Sequence, residues 1–377
     1  MQLSVIILNY NVRYFLEQCV SSVQKALETI DGEVIVIDNN SSDDSCEMMK
    51  TRFPNVKLIE NNQNLGFPKG NNIGVAEAKG EYICILNPDT VVSEDTFTKI
   101  LKTENWQKNT GIIGCKLIDG TGNFLPESKR GVPTPWVAFT KIFGLYKFFS
   151  KISWFNQYYA QHITENESGK VDILVGAFMM MKKSLYLELG GFDEECFMYS
   201  DDIDLSYMVL QKGFQNYYHH ETTVIHYKGE STVRDGTYMK RFSEAMQFFY
   251  KKHFKKSFFF DVMMQFGSLF FALLKKHQQK EIIVKIDSYV VFTKKKMNLQ
   301  LGKPVSYLTS LELFKVMKGK NVEIIFDVDD FSYQEIINFM QLNKSKNITY
   351  KNFFPSSNFM IGSYSSNDRG GSYIALK

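Results

Sequence analysis

The sequence predicts an α/β protein, with a mostly parallel, doubly wound sheet followed by a smaller α/β unit. Three observations lead there. Short apolar runs alternate with helical stretches through the first part of the chain, a pattern that right-handed crossovers fold into one sheet. At 377 residues the chain is too long for one ordinary small domain and suits two. Hydrophobic residues at 44% and charged residues at 23% are globular values, which excludes a disordered or fibrous chain.

The expected strands begin with Leu3–Leu8, Glu33–Ile37, Val56–Glu60 and Glu81–Leu86. The first is too short, and too soon followed by Asn9, Asn11 and Arg13, to be a signal peptide, so it reads as a buried strand. Helices are expected near Phe15–Glu28, Asp44–Arg52 and Lys69–Lys79, with Gly80 ending the last. Gly111–Leu117 and Val171–Met181 read as further strands, Asp119-Gly120 as a turn, and Asp201–Lys212 as a helix closed by Gly213. Past about residue 280, Glu281–Ile286, Val322–Phe326 and Asn347–Tyr350 read as strands, and Ser310–Met317 and Ser332–Leu342 as helices. No Gly-x-Gly-x-x-Gly follows a strand there, which disfavours dinucleotide binding. The expected division is 1–250, an amphipathic linker helix over 251–280, and a small Rossmann-like unit over 281–377.

A net charge of +3 gives no global drive toward nucleic acid. The five cysteines are scattered, without a Cys-x-x-Cys pair, which points to a reducing compartment rather than to disulfides or zinc. Phe258–Leu274 is apolar but carries Asp261 and Gln265, and Lys251, Lys252, Lys255 and Lys256 precede it. That suits a segment lying on the anionic inner face of the cytoplasmic membrane, although a buried inter-domain helix has the same pattern. Trp136–Tyr159, aromatic and basic, is a candidate second interfacial patch.

The strand ends carry the chemistry. The first four strands run into Asn9, Asp38, Asn61 and Asn87, at the edge where open α/β sheets bind ligands. Asn87-Pro88-Asp89-Thr90 places a carboxylate where it can hold a hard divalent cation, but the same tetrapeptide is also ordinary turn chemistry. Asp201, Asp202 and Asp204 crowd like charges at a helix start, more than capping needs, as a general base would require. His226 ends the apolar run Thr223–Ile225, where a lone histidine is more often structural unless it faces Asp89.

Several of these segments together resemble glycosyltransferase family 2: Ser4–Asn11, Val36–Asp43, Asn64–Phe67 with Gly70–Gly74, Leu86–Asp89, Gly176–Met180, Gly190–Glu194, Phe197–Tyr199, the acidic cluster and Val224–His226. The likeness covers about residues 1–250 and is nearest to rhamnosyltransferase-like enzymes of bacterial surface polysaccharide assembly. It implies a GT-A fold, a nucleotide-diphosphate sugar donor, Mg2+ or Mn2+, and inversion at the anomeric carbon. It further implies that Asp38 contacts the nucleobase, Asp89 and His226 bind metal, and Asp202, beside Asp201, is the base. Asn9, Asn40, Asn64, Gly66, Asn71 and Asn87 line the expected donor site; Lys129 and Arg130 sit in a loop where a cation could reach the diphosphate, and a solvated basic turn has the same pattern. Asn87 replaces the first acid of the family's Asp-x-Asp, and Asp201-Asp202 replaces Glu-Asp. A growing glycan carried on a polyprenyl diphosphate is the acceptor that the resemblance implies.

No Gln-x-x-Arg-Trp occurs, so the resemblance is to members that add a single sugar. A nucleotidyltransferase is the alternative enzyme, but Asn9-Tyr10-Asn11 does not resemble its Gly-rich loop. A degenerate glycan-binding scaffold is the non-enzymatic alternative, and the retained Asp89, Asp202 and His226 speak against it.

Overall fold

Strands β1 (Leu3–Asn9), β2 (Gly32–Asp38), β3 (Lys57–Glu60) and β4 (Tyr82–Leu86) alternate with helices α1 (Arg13–Leu27), α2 (Ser45–Arg52) and α3 (Gly66–Glu77). They assemble in the order β3-β2-β1-β4 with every pair parallel, as the alternation predicts. All of β1 is buried, covered on both faces by helices, so its sequence is a continuous apolar run rather than an alternating one. Gly74 lets α3 lie close to this sheet: a Cβ there would stand 2.4 Å from Ile37 Cδ1 and 2.6 Å from Ile6 Cγ2. This computed structural model describes residues 1–142, 145–148, 152, 154–155, 157–197, 199–228, 236–254, 285–315, 319–364 and 371–374.

The sheet continues with β5 (Thr90–Val91), β6 (Thr110–Ile118), β7 (Gly169–Val171), β8 (Phe178–Lys182) and β9 (Gln215–His226). The order becomes β3-β2-β1-β4-β8-β6-β9-β5, with β7 also on β9. Among the described residues only β6–β9 is parallel in this half; β8 is antiparallel to β4 and β6, and β5 and β7 are antiparallel to β9. The helices here are α4 (Thr96–Ile100), α5 (Pro135–Ile142), α6 (Leu145–Phe148), α7 (Lys183–Glu188), α8 (Asp201–Gln211) and α9 (Gly236–His253). The single strand expected over Val171–Met181 is two strands with a loop between them. Its backbone groups bond sideways: Ile173 pairs with Arg130, Leu174 N donates to Ser206 Oγ at 3.3 Å, and Gly176 N donates to Asp202 Oδ2 at 3.0 Å.

A six-stranded second sheet contains β10 (Ser288–Phe292), β11 (Val305–Leu308), β12 (Val322–Asp327), β13 (Ile348–Phe354), β14 (Phe359–Gly362) and β15 (Gly371–Ile374), with helix α10 (Tyr333–Leu342). Among the described residues its first strand is Ser288–Phe292, whose Val290, Val291 and Phe292 enter the core; the strand expected over Glu281–Ile286 lies mostly outside the described residues. The helix expected over Ser310–Met317 is one 3-10 turn, Leu311–Leu313, among the described residues. Phe314 there is already extended and packs on Phe339, 5.3 Å between ring centroids. The segment Phe258–Leu274 lies outside the described residues. Among these, no helix is long and apolar enough to cross a membrane.

The two sheets share a core. Phe15, Val91, Ile118, Ile225 and Tyr227 of the first unit cluster with Phe292, Ile324, Phe326 and Phe339 of the second. Polar contacts fix the docking. Ser332 and Glu335 form a capping box at the start of α10, and Glu94 of the first unit accepts from the next two amides, Tyr333 N and Gln334 N, each at 2.8 Å. Lys25 Nζ donates to Val328 O at 2.9 Å. Glu94→Ala is therefore expected to lower unfolding free energy by about 1–3 kcal/mol, the range for a lost charged cap. Urea denaturation checks this; an unchanged midpoint and slope would show that the cap contributes nothing to docking.

Candidate active site

The carboxyl ends of the central strands form one polar rim. Asn9 and Asp38 are register partners at the ends of β1 and β2, and Asn9 Nδ2 donates to Asp38 Oδ1 at 2.8 Å. Asp38 Oδ2 accepts from Ser41 N at 2.8 Å. Asn39, singled out by no sequence signal beyond its place in Asp38-Asn39-Asn40, is buried and bridges the rim to its neighbours. It accepts from Asn61 Nδ2 at 2.9 Å and donates to Asn64 Oδ1 at 3.3 Å and to Gly66 O at 3.1 Å. Asn64 Oδ1 in turn accepts from Gly66 N at 3.0 Å, so that the start of α3 faces the rim. Gly66 takes φ +80°, and a Cβ there would stand 2.9 Å from Phe197, so this position is open only to glycine.

Beyond β4 the chain makes the Asn87–Thr90 turn, closed by Thr90 Oγ1 donating to Asn87 O at 2.7 Å. Pairing of β5 with β9 then sets Thr90 opposite His226. This brings His226 Nε2 to 3.4 Å from Asp89 Oδ1 and to 3.4 Å from Asn87 Nδ2. Residues 87 and 226, far apart in sequence, thus meet at one point. His226 Nδ1 is buried with no hydrogen-bond partner among the described residues. Asn87 N also donates to Ala177 O at 3.1 Å, which joins this turn to the loop before β8.

That loop carries the acidic cluster. Asp202, in the first turn of α8, accepts from Gly176 N at 3.0 Å and from Arg130 Nη2 at 2.5 Å, both on Oδ2. Arg130 donates as well to Leu174 O at 3.1 Å. Asp201 also approaches Gly176: a Cβ at 176 would stand 3.4 Å from Asp202 Cβ and 3.7 Å from Asp201 Oδ2. Asp204 is turned away from this point. It is held by Lys252 at 2.8 Å and His253 at 2.5 Å, which fastens α9 to α8.

Residues 4–190 match the sequence profile of glycosyl transferase family 2. This unit of the chain belongs to that family. The protein is a glycosyltransferase, and its α/β sheet is the GT-A arrangement. An N-acetylglucosaminyl-diphospho-decaprenol L-rhamnosyltransferase of Mycobacterium tuberculosis is 26% identical over 244 residues, 62% of this chain and 78% of that one. A low-salt glycan biosynthesis hexosyltransferase of Haloferax volcanii is 26% identical over 209 residues, 54% of this chain and 60% of that one. Among solved structures, a mannosyltransferase from Pyrobaculum calidifontis superposes with a TM-score of 0.46 at 17% identity, covering 71% of this chain and 69% of that chain.

The transferase sequence led to two cations for the donor diphosphate, and the fold uses both elsewhere. Lys129 Nζ donates to three backbone carbonyls, Tyr159 O at 3.2 Å, Ala160 O at 3.1 Å and Ile163 O at 2.6 Å, and is buried there. Arg130 is on Asp202, as above. The sequence signal for either outcome was weak, because Lys129-Arg130 has no local pattern that separates a phosphate clamp from a structural one. Asn71 is fully buried, donating to Phe67 O at 2.9 Å, with Oδ1 unpaired among the described residues. Asn40 is exposed and takes φ +64°. Lys252, expected to flank a membrane segment, is instead bound to Asp193 at 2.7 Å and to Asp204.

Burial, and then the neighbouring Asp202 carboxylate, push the Asp201 carboxyl up to about 7. Its folded-state value lies above the ordinary 3.8, so the folded protein holds this proton more tightly than the unfolded chain does. The group therefore subtracts from stability as pH rises from 3.8 to about 7, and the loss is complete above that. Asp201→Asn is expected to gain stability over wild type at about pH 8 and to lose that advantage near pH 4. Urea midpoints at both pH values decide it; a difference that does not vary with pH would contradict the assignment.

Proposed function

We propose that this glycosyltransferase moves one sugar from a nucleotide-diphosphate donor to a hydroxyl of a lipid-linked surface glycan, in a single inverting displacement with a divalent cation. The observation that carries it is the convergence of two groups of side chains around one loop. Asn87, Asp89 and His226 meet beside β4, and Asp202 meets Gly176 one residue from the carbonyl that anchors Asn87.

The roles follow from the chemistry. The rim of Asn9, Asp38, Asn39 and Asn64 offers amide and carboxylate partners for a nucleoside. Asp202 takes the proton of the acceptor hydroxyl as its oxygen bonds to the anomeric carbon and the bond to the diphosphate breaks. General-base help of this kind contributes about 10²–10⁴ in rate. Arg130 occupies one oxygen of Asp202 and so orients the carboxylate for that task. Asp202 attacks no carbon in this scheme, and no covalent glycosyl intermediate forms.

The donor set at 87, 89 and 226 fits Mg2+ or Mn2+: a carboxylate oxygen, an imidazole nitrogen and a side-chain amide that presents its oxygen when turned. No cluster of three or more His, Cys, Asp or Glu gathers among the described residues, so diphosphate oxygens and water would complete the shell. A cation bound there offsets charge on the leaving diphosphate. The Mycobacterium tuberculosis relative is named for an N-acetylglucosaminyl-diphospho-decaprenol acceptor and for rhamnose. That supports a polyprenyl-diphosphate acceptor here, rhamnose as the first donor sugar to test, and a working position on the inner face of the cytoplasmic membrane.

Release of nucleoside diphosphate from a panel of nucleotide sugars, with Mn2+ and with chelator, tests the reading. Cation-dependent release from one donor is expected, and release of pyrophosphate would favour a nucleotidyltransferase instead. Calorimetry of Asp89→Ala and His226→Ala is expected to show weaker Mn2+ binding. Unchanged affinity in both variants would remove the metal site from the account.

A further inference from the structure

We propose that Trp136, Phe148, Ile152 and Trp154, which fall between Gly131 and Gln157, form a face that seats on an anionic lipid bilayer, with their rings and the Ile152 side chain in the boundary between headgroups and acyl chains. The inference rests on the lipid-linked acceptor proposed above and assigns the surface that meets that acceptor's membrane.

The exposed apolar surface is concentrated here. Phe148 is 83% exposed, Trp154 67%, Ile152 48% and Trp136 38%, all within one short stretch. The other large exposed hydrophobic side chains among the described residues are spread over the rest of the chain. Described residues of this stretch are anchored to the protein. Thr134 Oγ1 accepts from Val137 N at 3.3 Å at the start of α5, and the buried Val137 and Thr140 turn one face of that helix into the protein. Trp136 Nε1 donates to Trp154 O at 2.9 Å, and their rings stand 5.6 Å apart. That indole donor is satisfied within the protein, so the ring enters an apolar phase without leaving an N–H unpaired.

Charge selects the partner. Residues 128–164 contain no Asp or Glu, although the chain has 41 of them in 377 residues, while Lys141, Lys147 and Lys151 fall inside the stretch. A stretch rich in Trp, Tyr and Phe whose own sequence carries lysines and no acid matches an anionic interface, and Trp and Tyr favour that depth of a bilayer. Position completes the argument. Gly131 N donates to Gln157 O at 3.1 Å and to Tyr158 O at 3.2 Å, so both ends of this stretch close beside Arg130, the residue bonded to Asp202. A bilayer under this face presents a membrane-anchored diphosphate sugar next to the proposed base.

The full chain is mixed with vesicles of phosphatidylcholine alone, or with added phosphatidylglycerol, and binding is read by flotation and by quenching of tryptophan with brominated lipid. Flotation with the anionic vesicles, weakened by salt and accompanied by quenching, is expected. The double variant Phe148→Ser, Trp154→Ser is expected to bind about tenfold or more weakly, the scale for losing large buried apolar side chains. Its lipid-free release of nucleoside diphosphate from the donor should equal wild type. A double variant that floats as wild type does, a wild type that does not float, or a wild-type self-association that the double variant abolishes would each overturn the proposal. A protein that floats through this face yet releases no nucleoside diphosphate from any donor would instead contradict the transferase scheme and leave the membrane face standing.

Discussion

The carboxylate of Asp202, held between Arg130 Nη2 and Gly176 N, is the contact on which the site depends. It joins three pieces remote in sequence: the segment after β6, the loop before β8 and the first turn of α8. Both partners of the ion pair are close to buried, at 11% and 12% side-chain exposure. Removing one member of such a pair costs about 3–5 kcal/mol, chiefly because the other charge is left unpaired. The position of the proposed base and the shape of the loop beneath it are therefore one energetic unit. The same loop, through Ala177 O, fixes Asn87, so the two chemical halves of the site are tied through a few backbone bonds.

The second unit supports this arrangement from the far side of α1 and β5. Part of its carboxyl edge, where an open α/β sheet would ordinarily take a ligand, is spent on docking: Lys25 reaches Val328 O and Glu94 caps α10. A shared apolar core behind those polar contacts makes independent motion of the two units costly. The rim at Asn9 and Asp38 is thereby held on a rigid base.

Much of the parallel half was legible because its physics is local. A strand buried on both faces is a continuous apolar run with a polar residue following at its carboxyl end, and Asn9, Asp38 and Asn87 were placed at strand ends that way. The convergence of Asp89 with His226 was legible only as a condition, since strand order decides it and sequence spacing does not. Lys129 and Arg130 were misjudged for the same reason. What a buried cation binds depends on which carbonyls and carboxylates tertiary packing sets around it, and those lie 30 to 72 residues away in sequence. The break between β7 and β8 was hidden in an apolar run whose backbone is bonded to side chains of α8, beyond the reach of a local pattern.

The rate of sugar transfer by Asp202→Asn, measured in single turnovers with saturating donor, bears most directly on this account. The substitution keeps the side chain's shape and removes its capacity to take a proton. A fall of about 10²–10⁴ in rate with donor affinity unchanged is predicted. A variant that retains more than about a tenth of the wild-type rate, against that expected loss, would show that the proton leaves by another route and that the Arg130–Asp202 pair is structural only.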